Sequence, residues 1–230
     1  MMKKLQLSFF LVWCSVCVCA QVKETVWQTV QVPVRLSDKI TWHNDAGYRT
    51  IGYSLSARNY LYRTGLRYHF NQKTDAAAGI AWFFSRTDLN KDNHEFGREI
   101  RLWQEIVHQH ELIKHTSVQL RLRTEQRFFD ATSRQAKLEA YRFRYRINIM
   151  QQLNKQFTVQ LGYEHMHQLM HQKLEFNQLR VQPAVLYSFN ERIQLQTMYM
   201  FLQAANEKQN VLWVTYFIRI SHANRNRSKG

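Results

Sequence analysis

The sequence predicts an all-β protein, an antiparallel up-and-down transmembrane β-barrel of about ten to twelve strands that follows a cleaved signal peptide. Three observations predict this class. Apolar and polar residues alternate with a period of two over most of the chain, a short apolar segment begins it, and the links between predicted strands alternate in length. Alternation alone also fits a soluble sandwich whose apolar side faces a core, so the other two observations favour the membrane barrel.

The alternation is clearest between residues 117 and 163, where three predicted strands follow one another. Successive side chains of a strand point to opposite faces of the sheet. Each of these strands therefore has one aliphatic and aromatic face and one face lined with guanidinium groups. In a transmembrane barrel the apolar face contacts lipid and the charged face lines the lumen. The predicted lumen network is Arg121, Arg123, Glu125, Arg127, Arg142, Arg144, Arg146, Glu164 and Arg180.

The first twenty residues have the layout of a secretory signal peptide. Two lysines precede an apolar stretch, and a small-residue exit ends at Ala20. An N-terminal membrane anchor or a lipoprotein is the alternative, but the apolar run is short and no convincing lipoprotein sequence precedes a cysteine. The predicted division is residues 1–20 as signal peptide, 21–220 as outer-membrane barrel and 221–230 as a polar basic tail.

The chain is strongly basic, with a net charge of +15 that removal of the two signal lysines lowers to +13. The basic residues alternate with apolar ones along strands, and no recognition helix or RNA-binding aromatic motif is present, so nucleic acid is not an expected partner. All three cysteines lie in the predicted signal peptide. A mature chain without cysteine is compatible with a barrel that crosses an oxidising periplasm unfolded.

The predicted links alternate as they do in outer-membrane barrels, which have short periplasmic turns and longer external loops. Short turns are expected after Phe70, His108, Ile149 and Tyr187, and longer links after Phe84, Phe128, His165 and Phe201. Ten predicted strands between Ile40 and Ile220 could close into an up-and-down barrel with both ends on the periplasmic side. Residues 22–36 form an eleventh segment. Because this segment contains Pro33, the sequence leaves open whether it is a strand split in two or a piece that does not span.

Four segments carry a family resemblance. They are RLRTEQRF at 121–128, YRFRYR at 141–146, GYE at 162–164 and FNQLR at 176–180. The chain resembles the family called domain of unknown function 2490, whose members look like outer-membrane β-barrels, chiefly of Bacteroidetes-type Gram-negative bacteria. The resemblance covers about residues 27–220 and implies the fold and an outer-membrane location. It implies no biochemical activity.

Turn positions predict contacts within the lumen network. A hairpin centred on residues 151–155 places Arg142 opposite Glu164, and the preceding link places Arg142 near Glu125. Replacing Arg142 by alanine should then leave two carboxylates without a partner and destabilise the barrel.

The next hairpin predicts the other partners of Glu164. It should face Phe176 or Gln178, with Arg180 in reach only after a shift of register. Such a network has a structural interpretation, a ladder of carboxylate–guanidinium pairs that stiffens a narrow barrel. The excess of arginine over glutamate supports a second interpretation, an electropositive lumen that favours small anions.

Two further groups of residues are candidate sites. Ser85 and His165 could serve a lipid hydrolase at the rim, but no Gly-x-Ser-x-Gly motif accompanies them. The pairs His108/His110 and His165/His167 have the i, i+2 spacing that lets two imidazoles share one metal, but no cysteine or carboxylate completes either site in sequence. No catalytic residue, metal site or cofactor is therefore predicted.

The function predicted from the sequence is a structural barrel or a small anion-favouring pore, in contact with outer-membrane lipid. A lipid-modifying enzyme at the rim is one alternative. A soluble periplasmic β-barrel that binds an acidic ligand is the other.

Overall fold

The computed structural model describes residues 23–89, 95–133, 135–205 and 207–221. The predicted signal peptide, and all but the first residue of the predicted basic tail, lie outside the described residues. The strands are β1 (Lys23–Gln31), β2 (Val34–Arg35), β3 (Ile40–Thr50), β4 (Ala57–His69), β5 (Thr74–Arg86), β6 (Phe96–Ile113), β7 (Thr116–Phe129), β8 (Leu138–Gln152), β9 (Phe157–Met170), β10 (Lys173–Ser188), β11 (Ile193–Ala204), β12 (Lys208–Ile218) and β13 (Ile220–Ser221).

These strands form one sheet that closes into a barrel. From β3 to β12 each strand pairs antiparallel with the next one in the chain. The gap between β3 and β12 is filled by β1, in which Val30 lies opposite Ala46 in an antiparallel ladder and opposite Tyr216 in a parallel one. The predicted fold class is confirmed, with a parallel ladder at the closing seam.

The segment 22–36, whose role the sequence leaves open, supplies in its described part the eleventh strand of the barrel wall. The break between β1 and β2 falls at Pro33, which has no backbone N–H to donate, and β2 then resumes pairing with β3 and β13. Because the number of spanning strands is odd, one seam of an up-and-down barrel must be parallel. Lys23 therefore lies at one rim and Ile218 at the other.

One rim carries short turns and is called the short-turn rim below. Its connections are 36–39, 70–73, 114–115, 153–156 and 189–192. In the turn at 153–156 the Oδ1 atom of Asn154 accepts hydrogen bonds from the backbone N–H groups of Gln156 and Phe157, both at 2.8 Å. Asn71 and Asn190 make the equivalent contacts in their own turns. Local side-chain chemistry thus fixes where these hairpins bend.

The opposite rim, called the long-link rim, carries 51–56, 87–95, 130–137, 171–172 and 205–207. The expected longer link after His165 is wrong, because β9 continues to Met170 and only His171 and Gln172 make the turn. Both have positive φ angles, 49° and 62°, as a two-residue hairpin of type I′ requires. The link after Phe201 is likewise confined to 205–207.

The outer wall carries the apolar residues of each strand. Leu122 and Leu161 are each 53% exposed although they lie in the middle of strands. Aromatic rings lie towards the strand ends, as where Phe157 and Tyr187 pack at 4.9 Å between ring centroids beside the short-turn rim. An outer wall of this kind suits an apolar surrounding medium. No helix among the described residues is long and apolar enough to cross a membrane.

Candidate functional site in the barrel lumen

The inward residues of the strands enclose a cavity of about 520 Å³ that all nine residues of the predicted network line. The cavity reaches Gln72 and Lys73 in a turn of the short-turn rim. On the opposite side of the barrel, Met200 and Val211 are completely buried in a cluster with other apolar side chains. The cavity is therefore most densely charged along β6 to β9, while an apolar cluster packs between β1, β11 and β12.

Glu125 is the first carboxylate around which the arginines gather. Arg142 lies directly opposite it across β7 and β8, so the expected contact is confirmed, and the Nε atom of Arg142 donates to Oε2 at 3.0 Å. Arg144 donates from Nη1 to the other carboxylate oxygen at 2.8 Å. Arg101 and Arg123 each have a guanidinium nitrogen 3.7 Å away. Glu125 is only 2% exposed, and these guanidinium groups compensate its buried charge.

Glu164 is the second such carboxylate, and the expectation that it lies opposite Arg142 is wrong. The ladder between β8 and β9 pairs Glu164 with Arg146 instead. The difference arises at the turn 153–156, where the bonds to Asn154 centre the hairpin two residues further along the chain than expected. Moving the centre of a hairpin by two residues moves each pairing partner by four positions along the facing strand, here from Arg142 to Arg146. Because four is an even number, the pairing differs from the prediction but each side chain keeps its predicted face.

The partners of Glu164 come from three strands. Arg144 donates from Nε at 3.1 Å and from Nη2 at 2.9 Å to Oε1. Arg121 donates to the same oxygen from β7. Arg180 has Nη1 3.5 Å from Oε2. One buried carboxylate thus joins three guanidinium groups.

Arg180 reaches Glu164 because of an irregularity in β10. The predicted partners of Glu164, Phe176 or Gln178, are wrong, since Arg180 lies directly opposite it. A β-bulge between Phe176 and Gln178 leaves Asn177 unpaired in the ladder and shifts the register. Such an insertion is invisible to a simple count of alternating residues.

Two further carboxylates belong to the network and were not identified from the sequence. Glu105 accepts from Arg67 at 2.7 Å and from Nε of Arg123 at 3.0 Å. Glu99 accepts from Nε of Arg127 at 2.6 Å. Both lie on β6 with the inward parity, so extending the period-two pattern into that strand is the signal that identifies them.

Arginine exceeds carboxylate around the cavity. The lining includes eleven arginines and five carboxylates, and Glu99 adds a sixth carboxylate beside them. Among the described residues Arg49 and Arg146 make no ion pair. Arg49 lies over the Trp27 ring at 3.7 Å from its centroid and is 5.9 Å from the centroid of the Phe83 ring.

Buried polar atoms of both kinds lack hydrogen-bond partners among the described residues. The donors are Nε1 of Trp27 and Trp103 and the Nε atoms of Arg121, Arg146 and Arg180, and the acceptors are one side-chain oxygen each of Asp45, Asn148, Asn177 and Gln182. Because buried polar groups in folded proteins are nearly always satisfied, the guanidinium donors suit an acceptor that enters the lumen. The arrangement can hold an anion by charge and by hydrogen bonds together.

The serine and histidine residues considered as a hydrolase or metal site do not come together in one site. Ser85 lies on β5 with the inward parity and accepts from Asn59 at 2.5 Å, whereas His165 lies on β9 with the outward parity. Three strands separate them. His165 and His167 do approach each other, with 3.4 Å between their Nε2 atoms. His108 is hydrogen-bonded to Thr74 on the neighbouring strand at 2.9 Å.

A closed β-barrel with an apolar outer wall and a charged lumen defines the chain as a β-barrel of the outer-membrane type. The chain belongs to the family described as protein of unknown function (DUF2490), whose model matches residues 24–212. The family resemblance seen in the sequence is thereby confirmed.

Two solved structures are similar to the chain at low identity. One is OmpTdeltaL8, a loop L8 deletion mutant of OmpT, an outer membrane protein of Vibrio cholerae; it is 13% identical, with 76% of this chain and 57% of that chain covered and a TM-score of 0.45. Outer-membrane expressed OmpT of Vibrio cholerae is 12% identical, with 77% and 59% covered and a TM-score of 0.43. The chain thus spans less than two thirds of these structures. No curated protein matches it.

Proposed function

We propose that the protein is an outer-membrane β-barrel whose outer wall contacts lipid and whose lumen favours small anions, without catalysis. The exposed apolar residues of the wall support the lipid contact, since Leu122 and Leu161 would be unfavourably exposed to water in a soluble barrel. The proposal gives no role to a hydrolase built on Ser85 and His165, because these residues lie on opposite faces of the wall, three strands apart.

The proposed preference of the lumen for anions rests on Arg49. Its guanidinium lines the cavity, lies against the Trp27 ring and makes no ion pair among the described residues. A charge removed from water costs several kcal/mol unless an opposite charge compensates it. The carboxylates of the lumen are already shared among the other arginines, so an anion from solution is the remaining source of compensation.

Ion selectivity in planar bilayers tests this proposal. With a potassium chloride gradient across the bilayer, the reversal potential should report a preference for chloride. Replacing Arg49 by glutamine should shift the reversal potential toward cation preference. Arg98→Gln is the matched control, because Arg98 lies on the outer side of the rim and pairs with Asp130 at 2.6 Å. Absence of conductance or a preference for potassium would contradict an anion-favouring pore.

A purely structural role is the second candidate, and the packed side of the interior favours it. Met200 and Val211 are fully buried, and the charged side is crossed by shared ion pairs. A barrel of this type would show no ion conductance at all. It would lose stability when the shared carboxylates are replaced, and the variants, like the wild type, would remain non-conducting.

A further inference from the structure

Two histidines on the outer wall bring their ring nitrogens together. His165 and His167 lie two residues apart on β9, so both side chains project from the same face of the strand. Their Nε2 atoms are 3.4 Å apart, and both residues are half-buried. The charged network of the lumen lies on the other face of the same strand and uses neither ring.

The separation of the two nitrogens suits a shared metal ion. Imidazole nitrogens bind Zn²⁺ at about 2.0–2.1 Å, and tetrahedral geometry then places two of them about 3.3–3.4 Å apart. A hydrogen bond between the rings explains the arrangement less well, because nitrogen donors usually approach their acceptors to about 2.7–3.2 Å. The rings are also inclined at 51°, so they are not stacked face to face.

Aromatic neighbours hold the two rings in place. Phe176 on β10 packs against His165 with 5.5 Å between ring centroids. Tyr145 on β8 packs edge-on against His167 at 6.3 Å. Contacts from both flanking strands restrict the side-chain rotamers, so binding an ion would cost little ordering of the ligands.

We propose that His165 and His167 form a binding site for a divalent transition-metal ion of the Zn²⁺ or Cu²⁺ class on the outer wall, between mid-wall and the long-link rim. The described residues contain no group of three or more His, Cys, Asp or Glu that could hold a metal ion. The two imidazoles are therefore the protein ligands, and the remaining coordination positions lie on the outer side of the wall, towards the long-link rim. Neutral imidazole favours these ions over Ca²⁺ or Mg²⁺, which prefer oxygen ligands.

Calorimetric titration of the folded barrel in detergent with zinc chloride tests the site. The wild-type protein should bind one Zn²⁺ at this position. His165→Phe and His167→Phe should each weaken binding at least about tenfold, because each removes one of two ligands. Phenylalanine suits these positions, which already pack against aromatic rings, and heat-modifiable migration on gels checks that each variant folds.

The pair His108/His110 offers the matched control, since it has the same spacing on an outward face of β6 but His108 is bonded to Thr74. The double variant His108→Phe, His110→Phe should leave the binding unchanged. Electron paramagnetic resonance of the Cu²⁺-loaded barrel should show two coordinated nitrogens in the wild type and one in each single variant. Zinc binding that survives loss of both His165 and His167, or the absence of binding by the wild type, would overturn the proposal.

Discussion

Arg144 donates to Glu164 from both Nε and Nη2, at 3.1 and 2.9 Å, and its third nitrogen reaches Glu125 at 2.8 Å. This one guanidinium joins the two buried carboxylates at the centre of the lumen. The sequence assigned that joining role to Arg142, which binds Glu125 alone. Arg144, two residues further along β8 than Arg142, is therefore expected to contribute more to the stability of the barrel.

Replacing Arg144 by glutamine should destabilise the barrel more than replacing Arg142 in the same way. Loss of Arg144 leaves both carboxylates short of a partner, and breaking a buried ion pair costs about 3–5 kcal/mol. Glu125 still has three arginines when Arg142 is lost, so about 1–3 kcal/mol is expected there. Urea unfolding in detergent, followed by tryptophan fluorescence, measures the difference. Equal losses for the two variants would contradict the joining role of Arg144.

Replacing Glu164 by glutamine should change stability and selectivity together. Arg121, Arg144 and Arg180 would lose their shared carboxylate, and the lumen would gain one unit of positive charge. We expect lower resistance to heat and a reversal potential shifted further toward anions. Glu139→Gln is the control, because Glu139 is exposed on the outward parity of β8. A selectivity shift of the same size in both variants would contradict the assignment.

Gly79 makes room for the indole of Trp103, which is 1% exposed inside the barrel. A Cβ atom at Gly79 would lie 2.7 Å from the Cζ2 atom of that indole and would also meet the backbone of β4. Gly79→Ala should therefore cost about 1–3 kcal/mol through overpacking. Gly47→Ala is the milder comparison, since the three atoms nearest its Cβ would all belong to the flexible side chain of Leu61. Thermal unfolding of the two variants, compared with wild type, checks the order.

A carboxylate at the long-link rim, in the link between β11 and β12, pairs with residues of β1 and β4. Glu207 lies 3.3 Å from both Nζ of Lys23 and Nη2 of Arg58. Burial raises the pKa of this carboxyl, but Arg58 and Lys23 more than offset that effect and hold its pKa below the ordinary value of 4.5. A carboxylate with a lowered pKa in the folded protein stabilises it above the unfolded pKa, and the stabilisation disappears as pH falls through the folded value.

The start of β1 should therefore loosen as the pH falls below 4.5. The effect should be at most about 1 kcal/mol, because the ion pairs are partly exposed to solvent. Hydrogen exchange at Thr25 and its neighbours, measured at pH 7 and at pH 4 and corrected for intrinsic rates, should show the loss of protection. Glu207→Gln should exchange at the faster rate at both pH values. Protection that remains equal in all four samples would contradict this account.

The sequence predicted which way each side chain points better than which residues meet. Period-two alternation depends on the geometry of a single strand, so it placed Arg121, Glu125 and Glu164 correctly on the inward face. Pairing depends on turns and bulges. Alternation predicts the wrong centre for the hairpin between β8 and β9, because it does not encode the Asn154 turn, whose hydrogen-bonding pattern recurs at Asn71 and Asn190.

Longer-range features could not be derived from alternation at all. The bulge that brings Arg180 to Glu164 adds one residue without altering the local composition. The parallel seam between β1 and β12 joins residues almost two hundred positions apart, such as Trp27 and Trp213, and no local pattern encodes that choice. Both the bulge and the parallel seam depend on how the complete barrel closes.

That seam has a consequence for sidedness. Lys23 and Ile218 lie at opposite rims, so in a bilayer the two ends of the barrel domain emerge in different compartments. A membrane-impermeant biotinylation reagent applied to intact cells would then label a cysteine introduced at one end and spare a cysteine at the other. A circular permutant could not rejoin the two ends with a short peptide, since the new connection would have to traverse the membrane itself.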